Sequence, residues 1–283
     1  MTGPTGSGKT TTLYGALNEL NQPGQKIITV EDPVEYKLSR INQVQVNPTI
    51  GLDFASVLRA GLRQDPDVIL VGEIRDVETA EISLRASMTG HLVLSTLHTN
   101  DSISSATRLI DMGVEPFLAA SSIRAIVAQR LVRKLCSECA VPHTLSTEEQ
   151  AWMTHHLGDE AGKGDNIMRP VGCHHCNQTG FRGRVGIFEM LKMDDQIADA
   201  LRRADNSLFV ERAKAQDTYK PLLVSALEHV VNGVTTIQEA VRVAQQFESD
   251  VPQFETSPDE EVRQVTQMET PADSSSLALE ALN

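Results

Sequence analysis

The chain has 283 residues, 40% hydrophobic and 22% charged, an ordinary globular balance with room for one large domain or two smaller ones. Its formal net charge of −13 argues against sequence-independent nucleic-acid binding, which rests on Lys and Arg neutralising phosphates. No apolar run approaches the roughly 20 residues that span a bilayer, and the N-terminus lacks the basic and apolar regions of a signal peptide, so a cytoplasmic location is expected.

Gly3-Pro4-Thr5-Gly6-Ser7-Gly8-Lys9-Thr10 fits the phosphate-loop pattern at every position. Glycines let backbone N–H groups turn inward around phosphate oxygens, Lys9 can reach the terminal phosphates, and the Thr10 hydroxyl can ligate Mg²⁺. With the following Thr11, these residues form the candidate ATP-binding set. A helix is expected from after Gly8 through Leu20, stopped by Asn21-Gln22-Pro23-Gly24. Only Met1 and Thr2 precede Gly3, so the strand from which a phosphate loop normally hangs is expected to be lacking, and with it much of the turnover.

Ile27 to Val30 reads as a buried strand, and Glu31-Asp32-Pro33-Val34-Glu35-Tyr36 puts carboxylates at its C-terminal end, where open α/β sheets bind ligands. A general base could sit there, although the cluster is equally compatible with a solvated loop. Phe54 to Arg63 reads as a helix, with Arg59 and Arg63 on one face, a spacing that suits a shared anion or ordinary surface charge. Val68 to Val71 is a second buried strand ending on Gly72-Glu73. Gly72 occupies the place usually held by an Mg²⁺-linked Asp, which leaves Glu73 to serve alone or through water. A helix over Val77 to Met88 and a buried strand over Leu92 to Leu97 follow, the strand flanked by His91 and His98. Each could be merely a hydrogen-bonded structural histidine. Helices are expected over Ser102 to Met112 and Pro116 to Val132.

From about Lys134 to Lys192 the texture changes to Cys, His and Gly, ending in short turns and strands. Cys136-Ser137-Glu138-Cys139 and Cys173-His174-His175-Cys176 form two Cys-x-x-Cys knuckles, able to supply four thiolates to a closed, tetrahedral Zn²⁺ site. Without an export signal the thiols should stay reduced, which favours metal over disulfides. A full thiolate set leaves His174 and His175 exposed. Helical periodicity returns from Asp194 to about Glu248, with Leu223, Ala226, Leu227, Val230 and Val231 on one apolar face. Beyond it, nine acidic residues from Glu248 to Glu280 face only Arg263, the composition of a disordered tail.

Gly-Pro-Thr-Gly-Ser-Gly-Lys-Thr-Thr-Thr, Glu-Asp-Pro-Val-Glu-Tyr, Arg-Gln-Asp-Pro-Asp with Val-Gly-Glu-Ile-Arg-Asp, and Thr-Gly-His with Ser-Thr-Leu-His-Thr-Asn-Asp, in that order, resemble the type II secretion and type IV pilus assembly ATPase family over roughly residues 1 to 245. The resemblance implies an α/β fold with a RecA-like P-loop NTPase core over 1–133, an inserted tetracysteine zinc module over 134–192, a C-terminal helical region over 193–248 and an acidic tail over 249–283. It implies a homo-hexamer that binds ATP and Mg²⁺ and drives pilin or pseudopilin assembly through a polytopic inner-membrane platform protein and a cytoplasmic adaptor, without nucleic acid. Glu35 becomes the expected base for the attacking water and Glu73 the group positioning Mg²⁺ or its waters. His98, and with it His91, would sense the γ-phosphate, and Arg59 and Arg63 match family arginines near the nucleotide. The zinc module favours assembly or secretion over retraction. Adhesive pili, mannose-sensitive haemagglutinin pili and type II secretion share these motifs, and the family carries N-terminal domains that this sequence does not include, so a catalytically silent fragment that binds partners is the alternative.

Overall fold

In the computed structural model, which describes residues 1–158 and 166–245, the glycine-rich loop runs straight into helix α1 (Lys9–Leu20). Strands β1 (Ile27–Glu31) and β3 (Val68–Val71) are buried along their whole length. Flanked by β2 (Asn42–Gln45) and β4 (Leu92–Ser95), they form a parallel sheet in the order β2-β1-β3-β4. Their continuous apolar sequence serves two layers at once, because alternate residues face opposite sides. Ile27, Val68 and Leu70 pack on Leu13, Tyr14 and Leu17 of α1. Val30, Ile69 and Val71 pack on the opposite side against α2 (Phe54–Leu62) and α3 (Val77–Met88).

Helix starts are set locally. The carboxylates of Asp53, Asp76 and Asp101 accept from the backbone of Ser56, Thr79 and Ser104, capping α2, α3 and α4 (Ser102–Asp111), which satisfies otherwise orphaned N–H groups. Leu92, expected in a buried strand, is 44% exposed, and β4 ends at Ser95 rather than Leu97.

Met1 and Thr2 lie ahead of the phosphate loop, and Thr2 makes isolated bridges outside the named strands. The Leu97 amide donates to the Met1 carbonyl (2.9 Å), the Thr2 amide to Val127 (2.8 Å) and the Gln129 amide to Thr2 (3.0 Å). This pair of residues joins the parallel sheet to a second one. The helix expected over Pro116 to Val132 stops early: α5 covers Pro116–Ser122, and the chain then enters strand β5 (Ala125–Leu135). Ile126, Ala128, Arg130 and Val132 are buried at every second position, the period of a strand, with Gln129 buried as well, and tertiary pairing decides the outcome. The partner is β8 (Phe181–Lys192), antiparallel from Ala125↔Lys192 to Leu135↔Phe181.

The cysteine knuckles occupy the far end of this long hairpin, together with the short pair β6 (Val141–Pro142) and β7 (Met168–Arg169) and helix α6 (Thr147–Leu157). Residues 181–192, placed by sequence within the cysteine-rich module, thus pair with 125–135. The chain continues through α7 (Asp195–Arg202), α8 (Asn206–Lys214), α9 (Leu222–Val231) and α10 (Ile237–Ala244). Leu223, Ala226, Leu227 and Val230 form the buried face of α9, while Val231 is half-buried. The acidic tail lies outside the described residues. Among the described residues no helix is long and apolar enough to cross a membrane.

Helix α10 is tied to β5 by the buried Glu239, which accepts from the Arg133 amide (2.8 Å) and guanidinium (2.9 Å) and from Arg242 (3.1 Å). Burial works to raise this carboxyl, but the donors of Arg242 and Arg133 prevail and hold it below its ordinary value. Its contribution is therefore full above the ordinary carboxylate pKa and fades as pH falls through the depressed folded value. Glu239→Gln should cost about 1–3 kcal/mol near neutral pH, and urea titrations should show the gap from wild type closing on acidification.

Candidate functional site

The C-terminal ends of β1, β3 and β4 and the start of α1 enclose a cleft of about 610 Å³. Residues 5–11 of the loop, Glu35, Glu73 and His98 all line it, so four separate sequence motifs meet in one place. Gly3, the loop's entry, is buried beneath them.

The loop is shaped as a cradle. Gly6 and Gly8 take φ +80 and +88, conformations that L side chains rarely adopt. At Gly3 a Cβ would lie 2.6 Å from both the Gln129 carbonyl and Ser7 Oγ, so the backbone there approaches β5 as only glycine allows. No side chain caps α1 and its first turn holds no acid, which leaves the positive helix end open to an anion. Ser7 Oγ is buried without a hydrogen-bond partner. The Lys9 ammonium is buried and donates to the carbonyls of Gly3 (2.7 Å) and Pro4 (3.1 Å). Its pKa is lowered by burial first and the nearby Arg130 second, against the opposing pull of Glu73. An inward-turned lysine, an orphaned hydroxyl and an uncapped helix start fit a phosphate chain and suit little else. Thr10 adds a hydroxyl, and Glu73 a carboxylate, suited to a hard cation such as Mg²⁺.

The carboxylates of 31–36 have separate fates. Glu31 is buried and accepts from the Tyr14 and Thr29 hydroxyls and from Gln43 (3.2 Å). Burial, then the bond to Glu31, pushes the Tyr14 pKa up. Glu31 therefore ties α1 to β1 and is engaged by three donors. Glu35 is exposed on the cleft wall, and among the described residues no hydrogen bond or ion pair engages its carboxylate. Glu73 is held by Arg75 (2.5 Å) and His98 (3.4 Å), with its side chain 12% exposed. Arg75 also faces Asp32 at 3.8 Å. The sequence did not single out Arg75, although an arginine two residues beyond a strand-end acid projects from the same turn. Gly72 sits tight: its amide donates to Val30 (2.7 Å), Thr96 donates to its carbonyl (2.6 Å), and a Cβ there would meet Val30 O at 3.1 Å and Glu31 Cα at 3.2 Å.

Three candidates lie elsewhere. His91 precedes β4 at the sheet's opposite end, where its Nδ1 meets the Ala86 carbonyl (2.9 Å) and the Thr89 hydroxyl (3.0 Å). Arg59 is exposed and paired with Glu78 across α2 and α3, and Arg63 is the exposed C-cap of α2. Neither arginine lines the cleft.

The cysteines converge in a second place. The sulfurs of Cys136, Cys139, Cys173 and Cys176 lie within 4.8 Å of one another, with separations of 3.9 Å (136 to 173), 3.9 Å (139 to 176) and 3.8 Å (173 to 176). A tetrahedron with Zn–S of about 2.3 Å has edges of about 3.8 Å, so the thiols already stand where a metal would hold them. Burial works to raise the Cys176 thiol, yet the Cys173 and Gly180 backbones together with the neighbouring sulfurs bring it below its ordinary value, while burial and the other sulfurs push the Cys139 thiol above its own. His174 and His175 are exposed.

A parallel sheet with an uncapped glycine loop entering a helix, and acids on its strand ends, defines an α/β protein of the kind seen in secretion and pilus motors. The solved pilus retraction motor PilT with bound ADP aligns at a TM-score of 0.61 and 29% identity, over 92% of this chain and 61% of that one. The Legionella pneumophila ATPase DotB shares the fold at a TM-score of 0.61 and 23% identity, over 87% and 59%. The chain belongs to the type II/IV secretion system protein family, whose model matches residues 1–242. It is 48% identical to the type II secretion system protein E of Aeromonas hydrophila and 50% identical to that of Dickeya dadantii (strain 3937), in each case over 87% of this chain and 48% of the relative. The chain thus spans about half the length of these curated relatives.

Proposed function

We propose that this chain is an ATP-hydrolysing subunit of a homo-hexameric motor that powers pilin or pseudopilin assembly in a type IV pilus or type II secretion system. It would work at the cytoplasmic face of the inner membrane through a platform protein and a cytoplasmic adaptor. The observation that carries this reading is the meeting of Lys9, Glu35, Glu73 and His98 with the phosphate loop in one cleft. The clustered thiols favour assembly or secretion, with Zn²⁺ as a structural metal on Cys136, Cys139, Cys173 and Cys176.

The chemistry follows from what each side chain is free to do. Lys9, held by loop carbonyls, is a cation that incoming phosphate oxygens can draw away. Glu35 carries an uncommitted carboxylate able to take a proton from water attacking the γ-phosphate. Glu73 is oriented by Arg75 and His98 and, with Thr10, would hold Mg²⁺, which supplies charge neutralisation between phosphates. His98, half-exposed beside Glu73, is where a change at the terminal phosphate would be felt. Arg59 and Arg63 do not line this cleft, and a part for them in nucleotide chemistry would be across a subunit boundary of the hexamer.

Mg²⁺-dependent ATP hydrolysis by the purified chain is the test. Lys9→Ala should lower turnover by about 10²–10³-fold, the scale of losing one preorganised charge contact. Wild-type turnover in that variant would refute the proposal.

A further inference from the structure

The cleft contains a cation that the motifs do not account for. Arg184 comes from β8, beyond the cysteine knuckles, and lines the cleft beside the phosphate loop. Directly opposite pairs in an antiparallel ladder share a face, and the register is Leu131↔Gly186 and Arg133↔Arg184. Leu131 also lines the cleft, 3.5 Å from the position of a Cβ on Gly8, and Gln129 of the same face accepts from the Thr12 hydroxyl (2.9 Å). This face of the hairpin therefore meets the start of α1.

On that face Arg133 is committed to Glu239 and to the ring of Phe181, whose centroid is 4.1 Å away. Of the cleft's other Lys and Arg side chains, Lys9 is held by loop carbonyls and Arg75 by Glu73 and Asp32. Among the described residues no hydrogen bond or ion pair engages Arg184. The backbone beside it is also irregular. Between Arg133↔Arg184 and Leu135↔Phe181 the ladder shifts, β8 carrying one extra residue, with Gly183 at φ +77. Such a bulge bends the strand and re-aims the neighbouring side chain.

The position also selects which end of a ligand is met. Met1 and Thr2, the stem of the loop, lie between β4 and β5. Glu35 and Glu73 follow β1 and β3 on one side of that stem, and Arg184 arrives from β5 and β8 on the other. We infer that Arg184 is a nucleotide-binding residue that takes the α- and β-phosphates of a nucleoside di- or triphosphate, on the side of the loop opposite the hydrolytic carboxylates. This rests on the cleft being a nucleotide site, and it adds a residue contributed by the strand that closes the cysteine-rich hairpin.

Equilibrium binding of fluorescent ADP and of a non-hydrolysable fluorescent ATP analogue to the full chain tests the assignment. Arg184→Ala should weaken both by about tenfold to a hundredfold, the range for a hydrogen bond to a charged group. Arg184→Lys, which keeps the charge but loses the planar fork, should fall between wild type and Arg184→Ala. Lys9→Ala is the control: if it binds as wild type does, the cleft is not the nucleotide site and both readings fail. If Lys9→Ala loses binding while Arg184→Ala binds both nucleotides normally, the Arg184 proposal alone is overturned. A loss confined to the ATP analogue would also overturn it, because the guanidinium would then serve the terminal phosphate.

Discussion

Glu35→Gln is expected to lower ATP turnover by about 10²–10⁴-fold, the usual contribution of a positioned general base, with ADP affinity and melting temperature close to wild type. The amide keeps the shape of the side chain but cannot take a proton. The choice of Glu35 over its neighbours comes from what each carboxylate is already doing. Glu31 is buried and engaged by Tyr14, Thr29 and Gln43, and Glu73 is paired with Arg75 and His98, whereas Glu35 stands on the cleft wall without a hydrogen bond or ion pair among the described residues. Single-turnover rates beside equilibrium nucleotide binding would separate the step affected. Unchanged turnover in Glu35→Gln would move the base to Glu73.

Metal analysis of protein purified without added zinc should find close to one Zn²⁺ per chain, and Cys173→Ser should abolish it and lower the melting temperature by roughly 10 °C or more. Metal affinity in a closed thiolate site is folding free energy, and a loss of about 5 kcal/mol or more in a chain of this size, at roughly 2 °C per kcal/mol, moves the midpoint by that much. The effect should reach beyond the knuckles. Cys136 follows β5 directly, and its amide donates to the Gly180 carbonyl (3.0 Å) at the foot of β8, so the four thiols pin the end of the hairpin that carries Leu131 and Arg184. Calorimetry of wild type and variant, with and without chelator, checks this. No bound metal in the wild type, or identical melting of the two proteins, would count against it.

Legibility in the sequence followed how local each cause was. α1 and α3 could be placed because a glycine, a capping Asp or a stop at Pro23-Gly24 sits next to them, and β1 and β3 because fully buried parallel strands are uninterrupted apolar runs. β5 was legible only in hindsight. Ile126, Ala128 and Val132 alternate, but buried Arg130 interrupts the pattern, and the strand that settles the matter lies beyond the cysteine knuckles. β2, Asn-Gln-Val-Gln, is a polar edge strand with no apolar signal to read. In the site, Lys9, Glu35, Glu73 and His98 were visible because each belongs to a contiguous motif. Arg75 and Arg184 were not, since their importance comes from partners gained or lacked in space. Arg59, Arg63 and His91 show the converse: a motif position says nothing about which end of a strand or which face of a helix meets the cleft.

The crowding around Gly72 bears on how this cleft can be altered. With Val30 O and Glu31 Cα at 3.1 and 3.2 Å from where a first side-chain carbon would stand, an aspartate grafted there would need the backbone of β1 to yield slightly. The close seating of β1 on β3 therefore disfavours a side chain at position 72. An engineer seeking to strengthen cation binding has more room at the exposed Asp32 than in the strand.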